Sequence, residues 1–377
     1  MSVFETMPRG PAAFDLYRAV LAPLVAIDSD PSALQARWNS ALALSKKYGC
    51  EAFASFLVSQ GLAGLWSVEL PNAQAASDYG ALASKLRDER FGAVARYLDQ
   101  RAAVTELDRI LTREGIVYAA FKGAWVREAV YADPALRAAG DIDVLVSSRQ
   151  RQAAVQALRD SGYALWVDAE NISHECSLTR RSSDIDLHWD ILRPGRTRRP
   201  LIEDFLARRQ CLAGLWGLSD TDVMFMMLVH PAFAKYVCAS NTVSLIRVID
   251  FVRWARARQV RWDDLINLLD ASGLNTAAWA VLSWWKMLLG EDAWPVPRHV
   301  MVRLAPGRIR QSYLRAWIEH DLPTRLAASG IGVQIPFTLA LHDRASDAAH
   351  AVSGWMRSRV SARRDPLLRI DASKDSP

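Results

Sequence analysis

Two short acidic runs constrain the fold more than any other feature of the chain. "GDIDVLV" places Asp141 and Asp143 two positions apart, and "SDIDLHWDI" does the same with Asp184, Asp186 and His188. A period of two belongs to a β-strand, in which successive side chains point to opposite faces. Each run therefore gathers its carboxylates on one face and gives Ile142, Val144, Ile185, Leu187 and Trp189 to the other. Burying a carboxylate is strongly unfavourable unless a cation or hydrogen bonds compensate it. Like charges this close raise one pKa unless a divalent ion sits between them, and hard oxygen donors suit Mg²⁺ or Mn²⁺. A third carboxylate from a neighbouring strand would complete a site able to support in-line displacement at phosphorus.

The flanking sequence divides into four stretches. Residues 1–114 read as a helical region, with apolar residues three and four apart in "EAFASFLVSQGLAGLW" and "GAVARYLDQRAAVTELDRILTREG". Gly115 reads as the C-cap of the last of these helices. Residues 115–200 carry the strand signals "IVYAAF", "DIDVLV", "YALWVD", "HECSLTR" and "SDIDLHWDI", with helical stretches between them, and so form a mixed α/β module. The loop "RPGRTRRP" closes the module. Helical spacing returns over 201–345, and residues 346–377 read as a basic, flexible tail. The fold class expected is α+β, a mixed sheet flanked by helical regions on both sides.

A chain of 377 residues with a formal charge of +5 admits an anionic substrate but is far less lopsided than most nucleic-acid binders. The arginines at 357, 359, 363 and 364 lack aromatic interleaving and read as a solvated run. Cys50, Cys176, Cys211 and Cys238 lie far apart with no C-x-x-C pair, which argues against a zinc site or a disulfide framework and for reduced thiols in a cytoplasm. The N-terminus does not read as a signal peptide, and "TAAWAVLSWWKMLLG" is too short and too interrupted to span a bilayer.

Upstream of the acidic runs, "IVYAAF" leads into Lys122-Gly123 and a helical stretch, placing backbone N–H groups at a helix start where phosphates bind. Gly123 permits close approach, while Lys122 and Arg137 are candidate partners for a triphosphate. Arg137 has an alternative role as an ion-pair partner of Asp133 or Asp141. His174 and His188 read as hydrogen-bonded strand residues, His230 as a core histidine, and Arg247 with Asp250 as an i,i+3 helix pair.

The order "KG", then "Y-x-D-P" with Arg137, then "GDIDVLV" and "IDLHWDI", followed by "MMLVHPAFAKYV" and "SLIRVIDFVRW", resembles an uncharacterised nucleotidyltransferase-like family of the DNA polymerase β superfamily. The resemblance runs from about Leu44 to Leu289. It implies a nucleotidyltransferase-type sheet module that uses Mg²⁺ or Mn²⁺ and an NTP co-substrate. It makes Asp141 and Asp143 the paired metal ligands and Asp186 the third carboxylate and general base. Lys122 and Gly123 stand where the wider superfamily has a Gly-Ser turn on the triphosphate; Ala124 follows Gly123, so that serine is missing. Relatives in lasso-peptide and surface-polysaccharide settings imply a small-molecule or peptide acceptor. Two alternatives stay open: a degenerate nucleotide- or protein-binding partner, and a toxin-like enzyme acting on tRNA.

Overall fold

The structure, a computed structural model, describes residues 11–26, 30–70, 79–167, 172–235, 244–319, 330–362 and 365–368. Cys238, Arg363, Arg364 and the last nine residues, on which part of the sequence reading falls, lie outside these. The N-terminal region consists of α1 (Pro11–Val25), α2 (Pro31–Tyr48), α3 (Cys50–Ser59), α4 (Ala63–Glu69) and the 34-residue α5 (Gly80–Arg113). Helix α5 closes where the Ile116 amide donates to the Leu111 carbonyl at 2.8 Å, turning the chain directly into the sheet.

Strands β1 (Tyr118–Ala120) and β2 (Ile142–Val146) are joined through α6 (Lys122–Val130). Helix α7 (Arg151–Asp160) then leads to β3 (Ala164–Trp166), β4 (Glu175–Arg180) and β5 (Ser183–His188). After the short helix α8 (Ile202–Ala207) come β6 (Gln210–Leu212) and β7 (Leu215–Gly217). The sheet order is β3-β4-β5-β2-β1-β7-β6. Pairing is antiparallel except for β2 with β5 and β1 with β7.

The two last strands fall in the part of the chain that periodicity assigns to helices, so the sheet runs past residue 200. Each is only three residues long, and their turn, Ala213-Gly214, has positive φ at both positions without the Asn-Gly or Asp-Gly pair that usually marks such a hairpin.

Beyond the sheet come α9 (Asp220–His230), α10 (Ile246–Ala257), α11 (Trp262–Ser272) and α12 (Asn275–Leu289). They are followed by α13 (Arg298–Leu304), α14 (Arg308–Ile318), α15 (Ile331–Ala340) and α16 (Ala345–Ala362). Among the described residues no helix is long and apolar enough to cross a membrane. One connected apolar core runs through all three regions, with Trp66, Trp125, Trp254 and Trp285 among its fully enclosed side chains. Helix α16 occupies the first half of the stretch read as a flexible tail. It is held because it crosses the loop after β5 at a pair of glycines: a Cβ on Gly195 would lie 2.7 Å from the His350 carbonyl oxygen, and one on Gly354 would lie 2.3 Å from that of Pro194. Arg198 of the same loop reinforces the crossing by pairing with Asp347 at 2.7 Å.

Candidate metal and nucleotide site

Strands β2 and β5 lie side by side and parallel, with Asp143 level with Asp186 and Leu145 level with His188. Level residues on neighbouring strands share a face, so the two acidic runs converge. Ligand atoms of Asp143, Asp186 and His188 all lie within 4.8 Å of one another. Asp141, half-buried just before β2, lines the same cleft. Asp184 instead is exposed at the start of β5, where it accepts from Thr179 Oγ1 at 2.8 Å.

Asp143 is the enclosed centre of the cluster. Its Oδ1 accepts from Lys122 Nζ at 2.6 Å and lies 2.9 Å from His188 Nε2. Burial alone would raise its pKa, but the Lys122 ammonium and the His188 contact outweigh burial and hold the carboxyl well below the usual range. Asp141 goes the other way: the charge on Asp143, then burial, pushes it up to about 6. Asp186 accepts from Ser177 Oγ at 2.6 Å, a bond that aims its carboxylate across the β4–β5 pair. His188 is wedged edge-on against Phe121, and its Nδ1 stands 3.1 Å from Glu175 Oε2, so both ring nitrogens face carboxylates. The alternation in "IDLHWDI" already put His188 on the face of Asp186; a direct place in the cluster was the reading to draw from it.

Lys122 reaches Asp143 because it opens α6 with φ of 51°, a left-handed conformation that a non-glycine residue adopts at some cost. Gly123 follows, and beside the expected phosphate approach a second demand acts on it. A Cβ there would lie 2.2 Å from Arg137 Nη1, so the glycine makes room for that guanidinium. Arg137 is correspondingly committed: it donates to Asp250 through Nη2 at 2.7 Å and through Nε at 3.2 Å, and to the Ala138 carbonyl through Nη1. Its partner is neither Asp133 nor Asp141. Asp250 also accepts from the Tyr131 hydroxyl at 2.7 Å, so it faces the sheet module and not Arg247 on its own helix. Arg247 is left half-buried at the cleft wall, with no side-chain hydrogen bond or ion pair among the described residues. Burial, then the neighbouring Arg137, lowers its pKa, while Asp143, Asp250 and Asp141 act against that shift.

These residues form one wall of a cleft of about 810 Å³, large enough for a nucleotide with part of an acceptor. His174 and His230 also line it. The donor set fits a hard divalent cation: Asp141, Asp143, Glu175 and Asp186 gather here, the Lys122 ammonium contacts only one of them, and Asp141 registers the excess negative charge. A second cleft, of about 830 Å³, opens beside α14 near Asn275 and Arg308 and includes none of these carboxylates.

A comparison with curated proteins finds no match. A family model does match, over residues 46–290, a span that contains the whole sheet, the carboxylate cluster and α9 to α12. The chain belongs to that family, the uncharacterised nucleotidyltransferases.

Proposed function

We propose that the chain transfers an NMP unit from an NTP to a hydroxyl or amine of a small-molecule or peptide acceptor, with pyrophosphate as the leaving group. The observation that carries this reading is the convergence of Asp143, Asp186 and His188 on adjacent parallel strands at the wall of the cleft. Asp143 and Asp186 would hold Mg²⁺ or Mn²⁺, with Asp141 and His188 beside them. A bound divalent ion supplies charge stabilisation to the displacement at the α-phosphorus.

The chain's own residues account for the rest. Lys122 and Arg247 bring positive charge to the triphosphate side, where the superfamily's serine is missing. Arg137 supports the nucleotide end indirectly, by fixing the turn at Gly123 and by tying the sheet to α10 through Asp250. Asp186 is the general base for the acceptor, oriented by Ser177. The size of the cleft and the modest net charge favour a compact acceptor over a nucleic acid, as in natural-product or surface-polysaccharide biosynthesis.

Calorimetric titration of each NTP, with and without Mg²⁺, into the wild type and an Asp143→Asn/Asp186→Asn variant tests the reading. Mg²⁺-dependent binding of at least one NTP, abolished in the variant, is the expected outcome. Binding of no NTP by a folded wild type would turn the weight to a non-catalytic binding partner.

A further inference from the structure

Besides Lys122 and Arg247, the cleft is lined by Arg196, a positive group that the proposed nucleotide site does not use. We infer that Arg196 forms an anion subsite that takes a phosphate or carboxylate group carried by the acceptor. Assigning it to the acceptor rests on the nucleotidyl-transfer reading above; the anion site itself does not.

Arg196 lies in the loop between β5 and α8, and its guanidinium stacks on the Phe233 ring with Cζ 4.5 Å from the centroid. Both residues line the cleft. Stacking fixes the plane of the guanidinium and leaves its edge to bond. One end of that edge is unmatched: Nη1 is fully enclosed and has no hydrogen-bond partner among the described residues. His342, itself buried, also packs against Phe233, with ring centroids 5.0 Å apart. Burial and then the like charge of Arg193 push the pKa of Arg196 down to about 10, and no carboxylate among the described residues counters them.

Apart from Arg247, which faces the carboxylates of the metal end, several arginines around the sheet module are matched. Arg137 is matched by Asp250, Arg198 by Asp347 and Arg208 by Asp222. An enclosed guanidinium without a counter-charge is destabilising, and such a feature persists where a ligand supplies the missing anion. Lys122 bonds Asp143 and so stands at the metal end of the cleft, where the triphosphate is proposed to lie, whereas Arg196 is held on Phe233 in the loop after β5 and is assigned to the acceptor. A planar fork of donors matches a compact oxyanion, and a neutral acceptor would leave it unfilled.

The test is thermal denaturation of the full chain with inorganic phosphate or acetate, with and without Mg²⁺ and a non-hydrolysable ATP analogue. The variants are Arg196→Met, Arg196→Lys and Arg247→Met. In the wild type one of the two anions should raise the Tm, a larger shift with phosphate indicating a phosphorylated acceptor and a larger shift with acetate a carboxylate. The shift should vanish in Arg196→Met, weaken in Arg196→Lys, survive in Arg247→Met and add to that of the Mg²⁺-bound analogue. Ligand-free Arg196→Met should melt at or above the wild-type temperature, because it removes an unmatched charge. Three results would overturn the inference: no anion response in the wild type, an undiminished response in Arg196→Met, or a ligand-free Arg196→Met that melts several degrees lower or fails to fold. Competition between the anion and the analogue would also overturn it, by assigning Arg196 to the nucleotide. A wild type that ignores the analogue but shows the Arg196-dependent anion shift would refute the nucleotide reading and leave the anion subsite standing.

Discussion

Asp250 is the residue whose removal should damage this protein most clearly without touching the carboxylate cluster. Its side chain is 5% exposed, and it is the shared acceptor for the 11%-exposed Arg137 and for the Tyr131 hydroxyl. Asp250→Ala strands a buried guanidinium, which costs about 3–5 kcal/mol, and leaves a buried phenol unsatisfied, which costs about 1–3 kcal/mol. The two losses share one network and do not add in full, so we expect about 4 kcal/mol in total. A double change, Arg137→Met with Asp250→Leu, removes the stranded charge and should cost less than Asp250→Ala alone. Urea unfolding followed by tryptophan fluorescence measures both, since buried Trp125 and Trp254 report from the sheet side and the helical side. A loss below about 1 kcal/mol for Asp250→Ala, or a double variant as unstable as the sum of the singles, would refute the argument that this pair clamps the two regions together.

Three further outcomes follow from particular contacts. Gly217→Ala should cost about 1–3 kcal/mol in the same urea assay, because its new Cβ would fall 2.0 Å from Cδ2 of the enclosed Trp125. His342 sets an acid limit: burial, then Arg196, lowers its pKa from 6.5 to about 4, so the folded state binds fewer protons than the unfolded chain between those values. Its neutral form is fully accommodated above pH 6.5, and up to about 3 kcal/mol is lost as pH falls from 6.5 through 4, a loss that His342→Leu should abolish in denaturation curves at pH 7 and pH 4.5. Lys122→Asn keeps a residue tolerant of the left-handed backbone at φ 51° but removes the ammonium, so it should fold normally and weaken Mg²⁺-dependent NTP binding by roughly 10- to 100-fold in calorimetry.

The parts of this structure that could be read from the sequence are those governed by local periodicity. Period-two alternation around Asp141, Asp143, Asp184 and Asp186 identified β2 and β5, and the same alternation put His188 on the acidic face. Long-range pairing carried no such signal. Arg137 and Asp250 are 113 residues apart, and the nearer Arg247, three positions from Asp250, offered a plausible but wrong partner. Three-residue strands such as β6 and β7 are too short to show a period, and their Ala213-Gly214 turn lacks the usual pair. Nothing in "RPGRTRRP" separates Arg196 from its neighbours; only enclosure against Phe233 does.

The proposed transfer requires a divalent cation held by Asp143 and Asp186. Mn²⁺ binding followed by electron paramagnetic resonance, in which the signal of free Mn²⁺ falls as the ion is bound, tests this without an acceptor or a turnover assay. The wild type should bind Mn²⁺, more tightly when an NTP is present, and Mg²⁺ should displace it; Asp143→Asn and Asp186→Asn should each abolish that binding while retaining a folded chain. Equal Mn²⁺ binding by the wild type and both variants, or none by the wild type with NTP present, would contradict it.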